Sequence, residues 1–304
     1  DLHSFPTRRS SDLHIVLLFA DLLTRVPAGA QRVADIVSDA ERVRFDHGAL
    51  RTIDVAVPRG LPSGHSAFAR ILGPLGFQWS ATYPLPRIHM IGRSFTHEDY
   101  PEDIAQFFVS EILLDGFSPQ FQEAAQRIAR SSRDPLIADA ELSLVRLSHD
   151  GALRYAEARA LLPRLLTCFG RQHAVPTLAD YELLLEESAE MAWISTEGNT
   201  FNHVTERVDD IVAVAERQKA LGRPMKPAIE VSASGRVRQT AYFAASVERE
   251  FVNADGNRVT RQVPGSFYEF ISRDTVLCDD GRHRLDLSFD SGNAQGIFKM
   301  TAAR

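Results

Sequence analysis

The chain has 304 residues, 44% apolar and 24% charged, with a formal net charge of −6 at pH 7. That length holds one large domain or two modest ones, and the acidic balance argues against a polyanion-binding surface, so nucleic acid is not an expected partner. The two cysteines, Cys168 and Cys278, form no CxxC pair, which points to a reducing, cytoplasmic setting rather than a disulfide scaffold or zinc ribbon, and no apolar run reaches the ~20 residues of a membrane helix.

The opening DLHSFPTRRSSDL, residues 1–13, is polar and without period. It resembles a translated sequencing adapter and is set aside from the fold argument as a non-native segment. Residues 15–40 read as helices, because VPAGAQRVADIVSDAERV carries apolar positions at helical spacing. FDHGALRTI, residues 45–53, alternates as a strand. PSGHSAFARILGPLGF predicts a helix of about three turns with Ser63 as its N-cap. FQWSATYPL, IHMIGRSFT and AQFFVSEILL follow as strands.

Residues 118–190 read as a helical insert. The first pattern then returns: a strand in NTFNHVTERV, a helix in RVDDIVAVAERQKALG, strands in PAIEVSAS and QTAYFAASVEREFV, a hairpin turn at NADGN, and a last clear strand in SFYEFISR. Each half opens on a strand bearing a histidine, then a helix and more strands, which is a weak repeat of order rather than identity. The expectation is α+β, with one domain over 14–304: a first half to 117, the insert over 118–190, and a second half from 191.

Most of the ten histidines have an ordinary reading. His14, His149, His173 and His283 lie beside turns or charged residues and read as solvated. His65 reads as a helix cap or outer group, and His89 and His97 as satisfied groups near strands. His47 and His203 differ, since each follows a small polar residue in a strand and opens one half. Glu269 stands among Phe267, Tyr268, Phe270 and Ile271, where an unpaired carboxylate is costly. With the two histidines it would complete a 2-His-1-carboxylate triad of the kind that leaves open positions on non-haem Fe(II). An exposed-face glutamate is the competing reading. Arg51 shares a strand face with His47 and Ala49. A cation there needs a partner, either an anionic substrate or an ion pair with Asp46 or Asp54.

Taken together and in order, DHGALRT, NHVTERVDD, VPGSFYEFISRD with DGR soon after, and the terminal GNAQGIF resemble the family formerly called DUF1338. That family includes 2-oxoadipate dioxygenase/decarboxylases and resembles the vicinal oxygen chelate superfamily. The resemblance implies a central mixed β-sheet, a half-barrel enclosing a metal site, with a helical layer inserted between its halves. It implies Fe(II) held by His47, His203 and Glu269, and Arg51 as the clamp for a substrate's distal carboxylate. Gly292 and Asn293 become substrate contacts in a terminal stretch folded over the pocket. The implied reaction takes a 2-oxo diacid, 2-oxoadipate, with O2 to 2-hydroxyglutarate and CO2, as in lysine catabolism. The chain is shorter than the longer members and departs from them in its tail, which bears on substrate identity more than on metal binding. The alternatives are another metal-dependent enzyme of the superfamily (a lyase, isomerase or ring-cleaving dioxygenase) or a non-catalytic binding protein on this fold.

Overall fold

The computed structural model describes residues 4–57 and 61–292. The first elements are β1 (Ser4–Pro6), α1 (Thr7–Arg25), α2 (Pro27–Ser38), β2 (Phe45–Ile53), α3 (Ser66–Leu72), β3 (Phe77–Leu85), β4 (Met90–His97) and β5 (Gln106–Ile112). A mostly helical stretch follows: α4 (Pro119–Arg130), α5 (Ala138–Asp150), the short β6 (Ala152–Arg154), α6 (Tyr155–Cys168), α7 (Leu178–Glu187) and α8 (Ala189–Glu197). The chain continues through β7 (Phe201–Arg207), α9 (Ile211–Ala220), β8 (Glu230–Val231), β9 (Val237–Ala241) and β10 (Ser246–Val252). The last elements among the described residues are β11 (Arg258–Pro264), β12 (Phe267–Arg273), β13 (Thr275–Leu277) and β14 (His283–Leu285). Among the described residues no single helix is long and apolar enough to cross a membrane.

Among the described residues, eight strands form one curled mixed sheet of order β3-β4-β5-β2-β7-β12-β9-β8. β2 and β7 meet antiparallel at its centre. Outside each lies a parallel partner, β5 beside β2 and β12 beside β7, and then antiparallel strands. Each half therefore repeats one unit, β2-α3-β3-β4-β5 and β7-α9-β8-β9-β12, with the β10-β11 hairpin inserted in the second. The recurrence of order read in the sequence is this pseudo-twofold.

Side-chain alternation divides the sheet's two faces. Leu50, Phe107, Val204, Tyr268 and Phe270 belong to a core shared with the helices α1, α3, α6 and α9. Behind the sheet Arg32 of α2 grips Glu206 of β7 with two hydrogen bonds, of 3.0 and 2.7 Å, and the Tyr268 hydroxyl donates to the same carboxylate. The other face carries His47, Ala49, Arg51, His203, Thr205 and Glu269. A second apolar cluster, from α4, α7, α8 and the hairpin, packs at its rim.

Two local expectations change. The α3 helix is seven residues long and starts at Ser66, and its cap position is His65, not Ser63. Ser63 instead donates to Asp54 at 2.9 Å. The β5 carboxylate of Glu111 takes the His65 amide at 2.7 Å and its ring Nδ1 at 3.0 Å, so the helix start is fixed by a residue distant in sequence. Gly64 permits this, with φ +57° and a virtual Cβ only 1.9 Å from Glu111 Oε2. The α1 helix begins at Thr7, within the segment set aside above, and Ser11 is buried and donates to the Leu75 carbonyl.

His14, expected in solvent, is fully buried against Phe107 and Phe169, with no hydrogen-bond partner on either ring nitrogen. Burial pushes its pKa down to about 3. The unfolded chain therefore binds a proton below about pH 6.5 that the folded chain refuses, and stability falls with pH across the window from about 6.5 to about 3. The total loss is on the order of 5 kcal/mol. Urea unfolding followed against pH should show this slope, and His14→Phe should flatten it. His173, also expected in solvent, is half-buried and meets the carbonyls of Ala174 and Ile194 at 2.9 and 3.0 Å.

Gly48 faces away from the histidines, and a Cβ there would stand 2.3 Å from Phe201 Cε2. Gly48→Ala should destabilise the fold by about 1–3 kcal/mol through overpacking. A lower urea midpoint at unchanged slope would record it.

Candidate metal centre

The register of the central strands assembles the site. On β2 and β7, His47 pairs with Thr205 and Ala49 with His203. On β12, Phe267 pairs with His203 and Glu269 with Thr205. His47, His203 and Glu269 thus come from three adjacent strands, two of them the first strands of the two halves. They are 2%, 7% and 0% exposed.

Their donor atoms all lie within 4.8 Å of one another. The two Nε2 atoms are 3.4 Å apart, and Glu269 Oε2 is 3.1 Å from His203 Nε2 and 3.8 Å from His47 Nε2. Donors bound to one ion at ~2.1 Å stand ~3.0–3.4 Å from each other, so two imidazoles and a carboxylate so placed fit a transition-metal ion. The halves are not equivalent in this respect. Gln106 pairs with His47 as Phe267 pairs with His203, so the counterpart of Glu269 in the first half is Phe108. An apolar residue there supplies no fourth ligand.

Each donor is held by a second contact. His47 Nδ1 meets Asp46 Oδ1 at 2.8 Å, which turns Nε2 toward the centre. Asp46 is gripped by Arg273, whose Nε and Nη2 donate to its two oxygens at 2.8 Å. Burial pushes the Asp46 carboxyl up, but the charge and hydrogen bonds of Arg273 and His47 overcome that and hold it below the carboxylate range. Glu269 accepts from Gln239 Nε2 at 2.6 Å and from the Thr205 hydroxyl at 2.9 Å. Its carboxyl is likewise raised by burial and brought below its ordinary value by His203, His47 and Thr205. The His203 ring stacks on Phe267 at 4.7 Å, and burial holds its pKa down against the pull of Glu269.

Arg51 is fully buried on the same face of β2, with its guanidinium 5.2 Å from the Trp193 ring. Burial lowers its pKa to about 10 while Glu190 acts the other way, so the cation persists at neutral pH. The ion-pair partners expected for it are engaged elsewhere, Asp46 with His47 and Arg273, and Asp54 with Ser63. The chain near the C-terminus closes over the face. Phe289 lies 4.8 Å from the His47 ring and 4.7 Å from Phe108. Gly292 is exposed, with its amide bonded to Asp290 Oδ1 at 2.8 Å, and Asn293 lies outside the described residues.

Sequence reasoning did not find Thr205, Gln239, Glu190 or Trp193 as neighbours of the site. Thr205 alone carried a local signal, two residues from His203 on the same strand face.

Residues 16–300 match the model of a family described as 2-oxoadipate dioxygenase/decarboxylase. The chloroplastic/amyloplastic 2-oxoadipate dioxygenase/decarboxylase of Oryza sativa subsp. japonica is 25% identical over 308 residues, covering 92% of this chain and 75% of that protein. Among solved structures, a glyoxalase-superfamily protein from Ralstonia eutropha JMP134 is 52% identical with a TM-score of 0.89, over 94% of this chain and 87% of that one. The hydroxyglutarate synthase of Oryza sativa, solved with 2-oxoadipate, shares the fold at a TM-score of 0.69 and 23% identity, over 96% and 91% of the two chains.

Proposed function

The chain belongs to the 2-oxoadipate dioxygenase/decarboxylase family, and from that premise we propose that it converts a 2-oxo diacid, 2-oxoadipate, with O2 to 2-hydroxyglutarate and CO2. The observation that carries this reading is the convergence of His47, His203 and Glu269 on one buried point, with Arg51 on the same strand face as His47. The reaction balances without an outside reductant: one oxygen atom enters the new carboxylate as CO2 leaves, and the other becomes the hydroxyl at the adjacent carbon.

His47, His203 and Glu269 would hold Fe(II), which when bound supplies substrate chelation and O2 activation. Asp46 accepts from His47 Nδ1 and so keeps the Nε2 lone pair free for a ligand bond. Gln239 and Thr205 engage the Glu269 oxygens and restrict how the carboxylate can turn. Arg51 binds the distal carboxylate, for which a planar two-pronged donor is suited. Phe108 and Phe289 keep water from the reacting carbon. Gly292 and Asn293 complete the substrate contacts in this reading, and lysine breakdown in the cytoplasm is its physiological setting.

The test is Fe(II)-loaded protein with a panel of C5 to C7 2-oxo acids, following O2 uptake, CO2 and products. Uptake in step with CO2 and 2-hydroxyglutarate is the expected result. One observation favours a second reading, an O2-independent isomerase or lyase: the 52% identical neighbour is described only as a glyoxalase-superfamily protein. Equal turnover under strict anaerobiosis would decide for that reading and against the first.

A further inference from the structure

Arg273 has a fully buried side chain and is not among the three residues whose donors converge on the candidate metal point. It ends β12, four residues after Glu269. One edge of its guanidinium grips Asp46, the residue that orients His47. The remaining nitrogen, Nη1, donates to two backbone carbonyls near the C-terminus, Asp286 and Ser288, each at 2.7 Å. The guanidinium carbon also stands 5.1 Å from the Phe289 ring.

The same short segment has further ties to the site. The Phe289 amide donates to the Tyr83 hydroxyl at 3.2 Å, and Gln106 Nε2 donates to the Leu287 carbonyl at 3.3 Å. Its one large aromatic lies edge-on to His47. Residues 286–289 therefore form a strap across the metal face, and the same guanidinium fixes both the strap and the orienting carboxylate.

We propose that Arg273 is a positioning residue that links strap seating to the orientation of His47, so that metal binding and closure of segment 286–289 favour each other. This rests on the reading of His47 as a metal ligand. The physical reason is shared geometry. A guanidinium is planar and rigid, so its fork can meet Asp46 only in one orientation, and that orientation aims Nη1 at the strap carbonyls. If two events each prefer that orientation, each raises the affinity of the other by the same factor.

The test compares the unsubstituted chain with Arg273→Lys and Asp46→Asn. Co(II) serves as the probe, titrated by its visible absorption, and amide hydrogen exchange is followed at Ser288 and Phe289. For the unsubstituted chain, Co(II) should slow exchange at those amides. In Arg273→Lys, which keeps the charge but not the fork, Co(II) affinity should fall on the order of 10–100-fold. Exchange at the strap should rise and no longer respond to the ion. Asp46→Asn is isosteric and leaves the strap carbonyls their donor, so it covers the case in which the lysine variant fails to fold. It should weaken Co(II) binding similarly and uncouple the strap from the ion. A lysine variant that loosens the strap at unchanged Co(II) affinity would make Arg273 a structural anchor only and overturn the proposal. Equal binding and equal exchange in all three chains would overturn it alone, whereas no Co(II) binding by the unsubstituted chain would overturn the metal reading with it.

Discussion

His203→Ala should abolish substrate-dependent O2 uptake and weaken divalent-metal binding by more than ~100-fold, beyond the range seen when an outer-shell partner is lost. The fold should survive. The His203 Nδ1 has no hydrogen-bond partner, its Nε2 meets Glu269 Oε2 at 3.1 Å, and the ring stacks on Phe267 at 4.7 Å. Truncation removes one stacked ring and one partner of Glu269, which keeps its hydrogen bonds from Gln239 and Thr205. The loss of stability should stay within about 1–3 kcal/mol, the ordinary range for a single substitution. Metal titration of the apoprotein, urea unfolding and O2 uptake on the same preparations check the three parts. Metal affinity equal to that of the unsubstituted chain would remove His203 from the ligand set.

Arg51→Ala should raise KM for a 2-oxo diacid on the order of 100-fold, because truncating one partner of a buried, hydrogen-bonded charge pair costs about 2–5 kcal/mol. A 2-oxo monoacid of the same chain length has no distal carboxylate to lose, so its KM should change little. That contrast separates a clamp from a merely structural cation, whose loss would affect both substrates alike. Arg51→Lys adds a pH signature. An ammonium in this fully buried position has its pKa depressed by burial. It is charged below that pKa and neutral above it, so binding of the diacid should improve as pH falls through it. Arginine, held at about 10, shows no such change near neutrality. Unchanged diacid KM in Arg51→Ala would show that the clamp lies elsewhere.

The sequence by itself determined much of the site's frame. A period of two along FDHGALRTI put His47 and Arg51 on one face of a strand, and β2 occupies that stretch residue for residue. For the isolated acid in SFYEFISR the sequence left an inward and an exposed-face reading, since a charged group amid aromatics is tolerated inside only with partners, and the structure decides for the inward one: Glu269 is fully buried with several. The repeated order of strand, helix and strands became the two halves of the sheet.

Partners, by contrast, were decided by tertiary structure. Asp46 follows strict alternation away from His47, yet their side chains meet at 2.8 Å. A register shift between Phe45 and His47 breaks the alternation there, and a bulge of this kind re-aims a side chain without any local sequence signal. Arg273 reaches Asp46 across 227 positions of sequence. His14 looked solvated because it stands two residues from Asp12 at the end of a polar stretch, but two phenylalanines distant in the chain enclose it. Periodicity is a property of the local backbone and can be read from one segment. Which carboxylate meets which cation depends on how separate strands register, and only the assembled sheet fixes that.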